Sequence, residues 1–281
     1  MSRRTIDALG TAARLARAAH LGTAMNAARD VADAGFARFG RPPLAAETDG
    51  FRLRGYLRHR SYLAHVAGGT RGGYRHLFAE SVVPGATVCD GGAHVGLYTV
   101  LGSRHAGVDG HVLAFEPDQY NLRALRWNVA HNGVGNVAVL DRALAEGRRT
   151  ATFRENSGTI SSSLAERGVG SESVRQVEVT SLDAELDGRE LGRLVVKLNI
   201  EGAEPLAIEG AVGVLTRAES VRLFVELNPP ALSAAGADPR ALIARLAGLG
   251  LTVSWIDPVD ESLTPARADG PLRKGHLFCS R

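Results

Sequence analysis

From Pro84-Gly85 to the end, the chain alternates short β-branched apolar runs with stretches of helical periodicity. The runs predict strands at Thr87–Cys89, His111–Phe115, Val137–Leu140, Leu194–Leu198, Val221–Leu227, Leu251–Ile256 and His276–Cys279. Between them, Val95–His105, Gln119–Asn132, Ala203–Thr216 and Pro239–Leu249 predict helices. In the second of these, Leu122, Leu125 and Val129 share one face that can lie on a sheet. Strands joined by helical crossovers make a mostly parallel sheet covered on both faces. Residues 150–181 break the rhythm. There Thr150–Arg154 and Val174–Thr180 predict paired strands around a Gly/Ser-rich loop, Asn156–Gly170. Upstream, residues 1–40 read as helical up to the break at Gly40-Arg41-Pro42-Pro43. Phe51–Tyr62 has a mixed pattern, and Gly68-Gly69 with Gly72-Gly73 marks a joint. The expected division is a helical cap at 1–80 and an α/β domain at 81–281, with 150–181 inserted.

Composition narrows the class. The 281 residues are 44% hydrophobic and 22% charged, enough for a large core and unlike a disordered chain or a fibre. Cys89 and Cys279 both fall in apolar runs, so buried free thiols of a reducing compartment are expected rather than a bridge or a zinc site. Arginine supplies all but two of the 33 basic residues, the lysines being Lys197 and Lys274. Residues 1–80 hold 13 arginines against six acids, an excess of seven positive charges within a chain whose formal charge is +3. Without lysine clusters or interleaved aromatics, that excess reads as a solvated helical face rather than a nucleic-acid surface. No run approaches the ~18 apolar residues of a membrane span. Met1–His20 lacks the apolar block of a secretory signal, and its weak stripe (Ile6, Leu9, Ala13, Ala16) lacks bulky membrane anchors. A cytoplasmic protein is expected.

The candidate chemistry gathers at strand ends, where a doubly wound sheet holds its ligand. The first strand runs into Asp90-Gly91-Gly92-Ala93-His94-Val95-Gly96. A dinucleotide turn needs a third glycine where Ala93 or His94 stands, which disfavours a nicotinamide oxidoreductase. An acid opening the loop suits a ligand with a cation better than a pyrophosphate. Twenty residues after Gly96, Glu116 ends the second strand, placed for a bidentate contact with ribose hydroxyls; a solvated strand-end acid is the plainer alternative. Asp141 ends the third strand and is a candidate for an adenine amino group, or an ordinary loop acid. On the fourth, alternation puts Lys197, Asn199 and Glu201 on one side, with Glu226 and Asn228 expected beside them from the fifth. A buried Lys197–Glu226 pair would be the purely structural reading.

Asp90–Thr99, Phe115-Glu116-Pro117-Asp118, Asn128–Asn132, Ser161-Ser162-Ser163-Leu164, Ser181-Leu182-Asp183 and Lys197–Glu204 together resemble the FkbM family of S-adenosylmethionine-dependent methyltransferases. The similarity covers roughly residues 70–230. Its most specific parts are Phe-Glu-Pro and Lys-x-x-x-Glu-Gly-Ala-Glu. The resemblance implies a class I methyltransferase fold, a Rossmann-like, mostly parallel seven-stranded sheet with a reversed last strand. It also implies methylation of a hydroxyl on a small natural product or sugar. Carried over by position, Asp90, Gly92, His94 and Gly96 would line the methionine end of the cofactor. Glu116 would hold the ribose, Asp141 with Ala143 would face the adenine, and Ala93, Pro117 and Asn121 are further cofactor-binding candidates. Asn199 departs from the family's Lys-Ile-Asp-Val-Glu-Gly signature, and His94 stands where Asn is common.

Because Asn199 brings no carboxylate, a hard cation such as magnesium is disfavoured and no metal ligand is assigned. Asn199 is also a poor base, so Glu201 or a nearby histidine is expected to take the acceptor proton while Lys197 and Asn199 orient the acceptor. His59, His65 and His76 of the cap are the histidines that could fold over the pocket. The cap and the insert are expected to carry substrate specificity. The expected partner is a small-molecule acceptor, with no nucleic acid and no membrane; a homodimer stays open. An N-methyltransferase and a cofactor-binding protein without transfer activity are the other readings.

Overall fold

The computed structural model describes residue 26 and residues 28–68, 73–156 and 172–281. The stripe of Met1–His20, most of the glycine joint and the Ser161–Ser163 loop lie outside the described residues. In the cap, helix α1 (28–38) precedes strands β1 (Leu44–Thr48) and β2 (Phe51–Gly55), a 3-10 turn (Leu57–His59), α2 (Arg60–Ala67) and α3 (Arg75–Ser81). The cap thus carries a two-stranded hairpin beside its helices, β2 falling within the stretch whose sequence pattern is mixed. β1 and β2 form an antiparallel hairpin closed by Asp49-Gly50, both at positive φ. That two-residue turn matches the right-handed twist of paired strands.

The α/β region contains β3 (Thr87–Gly91), α4 (Leu97–Ala106), β4 (His111–Phe115), α5 (Gln119–His131), β5 (Val137–Leu140), β6 (Ala143–Leu144), β7 (Arg149–Asn156) and β8 (Glu172–Thr180). It continues with α6 (Leu182–Glu185), β9 (Arg193–Leu198), α7 (Glu204–Glu209), α8 (Val212–Arg217), β10 (Ser220–Leu227), α9 (Pro229–Ala234), α10 (Pro239–Gly248), β11 (Thr252–Ile256), β12 (Leu263–Pro265) and β13 (Gly275–Ser280). All seven strands expected for the central sheet are present. Its order is β12-β11-β13-β10-β9-β3-β4-β5, with β13 antiparallel to both neighbours. This is the class I sheet with its reversed strand, plus one strand that was not expected. The addition, β12, is a short exposed edge ending in Pro265, a form that discourages further pairing.

The expected pair around residues 150–181 is β7 and β8, joined by β6 in a separate three-stranded sheet. The helix expected at Ala203–Thr216 is two helices. Gly210 separates them, and a Cβ there would stand 2.1 Å from the Ala145 carbonyl oxygen, so the chain turns where it meets the segment after β6.

Two apolar cores lie on the two faces of the sheet. One gathers α7, α8, α10 and the faces of β9 and β10 turned to them, including Val196, Ile208, Val214, Leu223 and Leu246. In the other, Phe51, Leu53, Tyr56, Tyr74 and Phe78 of the cap pack with Val88, Val100, Phe224 and Phe278, so the cap shares its core with the sheet. Cys89 and Cys279 are buried and free. Among the described residues no helix is long and apolar enough to cross a membrane.

Candidate active site

β3, β4 and β9 run parallel and end on one side of the sheet, where chain order reverses between β3 and β9. The loops leaving them wall a cavity of about 950 Å³ counted to its opening.

After β3, Gly92 has φ +73°, and a Cβ on it would stand 2.1 Å from the Asn199 carbonyl oxygen. Gly96 has φ +96°, and its Cβ would meet Leu125 at 2.7 Å. Both glycines are thus required by the packing of the loop against β9 and α5. Gly92, Ala93 and His94 face the cavity, whereas Gly96 does not. Asp90 lies behind the loop, fully buried, and takes a 2.6 Å hydrogen bond from the Thr99 hydroxyl. Its charge is met by Lys197, whose Nζ is 3.0 Å away and also donates to the carbonyls of Gly91 (3.2 Å) and Gly92 (2.7 Å). The register explains this, since Asp90 and Lys197 are direct partners across the β3–β9 pair. A Lys197–Glu226 pair is absent; Glu226 has Lys274 at 3.8 Å instead. With its donors committed to the loop, Lys197 reaches the cavity wall as a brace.

Glu116 follows the end of β4, ahead of an N-cap in which Asp118 accepts from the backbone of Tyr120 and Asn121 at the start of α5. Glu116 is buried. Its Oε2 accepts from the His94 N–H (2.7 Å) and its Oε1 from the Asp118 N–H (2.8 Å). Burial, with the Asp118 charge, pushes its pKa up to about 7 against these bonds and one from the Asn121 side chain. Asn121 is held in turn by the cap. The Tyr56 N–H donates to His59 Nδ1 (3.0 Å), which leaves Nε2 as the donor to Asn121 Oδ1 (2.9 Å). Burial pushes His59 down to about 4, so this imidazole is neutral.

His59 and Tyr62 both place rings edge-on against His94, at 5.0 and 4.5 Å. His94 has φ +55°, burial holds its pKa well below the usual value, and its Nδ1 is buried without a partner. Of the other cap histidines, His76 is exposed and paired with Glu80, while His65 lines a neighbouring chamber.

At the far end, Ala143 lines the cavity and Asp141 does not; Gln119 (3.4 Å) and Arg175 (3.5 Å) engage Asp141 outside the wall. Asn199 and Glu201 both reach the cavity from the end of β9, whereas Asn228 does not. Glu201 has φ +54°, strained for a residue with a side chain. Burial, then the charge of Glu226, pushes its carboxyl up to about 7 against Lys274 and Lys197. Glu204 is structural, accepting from the N–H groups of Ile200 (2.8 Å) and Gly202 (2.9 Å) to close the turn. Pro117 and Asn121 also line the cavity, and Tyr62, Tyr98, Arg142 and Phe153 are lining residues that motif reading missed. Phe153 alone left a signal, an apolar residue on an inward position of β7.

The model of the Methyltransferase FkbM domain matches residues 90–250. No curated protein matches the chain in sequence. Among solved structures, a SAM-dependent O-methyltransferase from Thermotoga maritima is 14% identical, over 85% of this chain and 78% of that one, with a TM-score of 0.43. A putative methyltransferase from Streptococcus mutans in complex with SAH is 12% identical, over 73% and 94%, with a TM-score of 0.42. A precorrin-6y C5,15-methyltransferase from Geobacter metallireducens is 12% identical, over 73% and 85%, at 0.39.

Proposed function

Because the chain belongs to the FkbM methyltransferase family, and so is an S-adenosylmethionine-dependent methyltransferase, we propose that it methylates a hydroxyl oxygen of a small molecule. The observation that carries this reading is one cavity holding both Glu116, a braced and buried carboxylate, and Glu201, a strained carboxylate whose pKa lies near neutrality.

The residues fit the cofactor. Glu116 accepts two backbone N–H groups and the Asn121 side chain, which leaves it a lone pair for a ribose hydroxyl. His94 Nδ1 is a buried polar atom that lacks a partner. Ala143, Leu144 and Phe153 give an apolar wall suited to a flat base. When bound, S-adenosylmethionine supplies a methyl group on a sulfonium sulfur, which keeps the bonding electron pair as the acceptor oxygen takes the methyl.

What remains for the protein is to hold the acceptor hydroxyl and receive its proton. Glu201 takes it, because a carboxylate with a pKa near 7 is a far better base than an exposed one. The Asn199 amide, at the same strand end, accepts or donates a hydrogen bond without adding charge. Lys197 serves indirectly by fixing the loop that carries Ala93 and His94.

Calorimetry with S-adenosylhomocysteine, with and without magnesium, tests the cofactor half. Micromolar binding is expected, weakened in Glu116→Ala by about 1.5–3 kcal/mol, the worth of a hydrogen bond to a charged group. No binding by folded protein in either condition would reject it. For the base, Glu201→Gln should lower kcat by roughly 10²–10⁴ and remove the ionisation near pH 7 from the pH–rate profile. An unchanged profile would remove Glu201 from that role.

A further inference from the structure

A separate pocket, about 720 Å³ counted to its opening, lies where the cap hairpin meets α5. Its lining is Arg41, Arg52, Arg54, Trp127 and His131, and no described residue lines both this pocket and the cofactor cavity. Neither cofactor binding nor proton transfer, as argued above, uses any of these five.

Three segments assemble the wall. On β2, Phe51 and Leu53 turn into the core, so the alternating Arg52 and Arg54 turn to the opposite face. Arg54 Nη1 donates to the Pro42 carbonyl (3.1 Å), which holds the linker carrying Arg41 against the strand. On α5, Trp127 and His131 stand one turn apart. Their rings stack, with centroids 3.8 Å apart and planes 9° from parallel, and His131 Nδ1 is bonded to the Trp127 carbonyl (2.8 Å). Asn128 and Asn132 of the same helix bond the backbone of Arg54 and Arg52, so strand and helix are fastened together. The fold thereby sets an aromatic pair beside arginines that have no aromatic interleaved with them in sequence.

Charge decides what the pocket takes. Glu47 is bonded to Arg52 Nε (2.5 Å), while Arg41 and Arg54 have no ion pair among the described residues. Arg41 and Arg52, together with burial, lower the pKa of Arg54, as close like charges do. Such a cluster repels a ligand cation and is relieved by an anion. Guanidinium forks match phosphate oxygens in particular. A phosphate monoester carries about 1.5–2 negative charges near neutral pH, which suits two unneutralised guanidiniums. The stacked rings add a flat surface of the kind on which nucleobases lie.

We propose that this pocket is a second ligand site and that it takes a free nucleoside monophosphate. The phosphate lies on Arg41 and Arg54, and the base stacks on the Trp127–His131 pair. The site does not depend on the methyl-transfer chemistry.

The probe is uridine monophosphate, added to protein saturated with S-adenosylhomocysteine so that the cofactor cavity is occupied. Calorimetry on wild type gives the affinity. Fluorescence in a Trp255→Phe variant, where Trp127 is the remaining tryptophan, reports stacking. Binding with quenching is expected. Uridine and inorganic phosphate each carry half of the ligand, and each should bind about tenfold more weakly or worse. Arg41→Gln and Arg54→Gln should each weaken uridine monophosphate by about tenfold or more and leave the Kd for S-adenosylhomocysteine unchanged. Arg41 is exposed, so its variant should keep the wild-type thermal midpoint and decides the matter if Arg54→Gln is destabilised. No binding, binding without quenching, equal affinity for inorganic phosphate, or affinity untouched by Arg41→Gln would each overturn the proposal. Affinity for single-stranded oligouridylates that climbs with strand length would also overturn it, in favour of a nucleic-acid surface. Failure of S-adenosylhomocysteine to bind would strike the methyltransferase reading and leave this test standing.

Discussion

His59 shows how a residue can shape a site without facing it. The neutral imidazole receives the Tyr56 N–H and passes a hydrogen bond to Asn121, whose side chain supports Glu116. The same ring packs against His94, whose N–H donates to Glu116 Oε2. Two of the three groups that donate to Glu116 therefore lean on a cap residue that precedes the matched domain at 90–250. His59→Ala is expected to weaken S-adenosylhomocysteine binding by about 1 kcal/mol, the net worth of one hydrogen bond. In an Asn121→Ala background the His59→Ala effect should shrink toward zero, because the coupling runs through that amide. Additive losses in this cycle would show that the imidazole acts only on folding. The sequence offered three cap histidines without distinguishing them. The bond from His59 to Asn121 spans 62 positions, a separation that periodicity does not encode. Glu116 was legible for the opposite reason, since strand, Glu-Pro-Asp cap and helix are consecutive. Asp90 was placed on the correct strand end but facing the wrong way. Its partner Lys197 follows from the β3–β9 register, which only the assembled sheet supplies.

The element least expected from the pattern, the β1–β2 hairpin, is held to the sheet domain by two asparagines acting as backbone. Asn128 accepts from the Arg54 N–H (2.7 Å) and donates to the Arg54 carbonyl (2.9 Å). Asn132, one turn later at the C-cap of α5, repeats this with Arg52 at 3.1 and 2.9 Å. The spacing of four residues on a helix matches two residues on a strand, so each amide meets an outward backbone position of β2. Asn128 is buried and also donates to the Val95 carbonyl (2.7 Å), so it ties the hairpin to the loop after β3. Asn128→Ala should lower stability in urea unfolding by about 2–4 kcal/mol, since it strands buried backbone groups. Asn132→Ala, at a half-buried site, should cost less than about 1 kcal/mol; equal losses would contradict the anchoring role. Asn128 and Asn132 were visible as part of a family-like segment, but their purpose was not, because their partners lie about 80 residues upstream. The hairpin itself had a readable sign in Asp49-Gly50 between two alternating runs. The break between α7 and α8 had none, since Gly210 is demanded by the Ala145 backbone rather than by local sequence.

Across the whole molecule, the strand ends that build the site also store electrostatic strain. The alternation of strand and crossover after Thr87 was legible because each strand is a self-contained apolar run. The insertion of β13 between β10 and β11 entered only through the family resemblance. That arrangement brings Glu226 and His276 together, and the ends of β4, β9 and β10 carry four acidic side chains, Glu116, Glu201, Glu204 and Glu226. Burial raises all four, three of them to about 7. A carboxyl raised in the folded state binds more protons than it does in the unfolded chain between its two pKa values, so stability falls as pH rises through that window. For Glu201 the window runs from about 4.5, its ordinary value, to about 7. Urea unfolding of wild type should therefore show this loss between about pH 5 and pH 8. Glu201→Gln should match wild type near pH 4.5 and exceed it at pH 8 by roughly 1–3 kcal/mol, a pKa unit being worth about 1.4 kcal/mol. Parallel pH curves for the two proteins would mean that Glu201 is not destabilised in the fold. Its strained φ and raised pKa are then two costs of one arrangement, a base kept protonatable near neutral pH at the expense of stability.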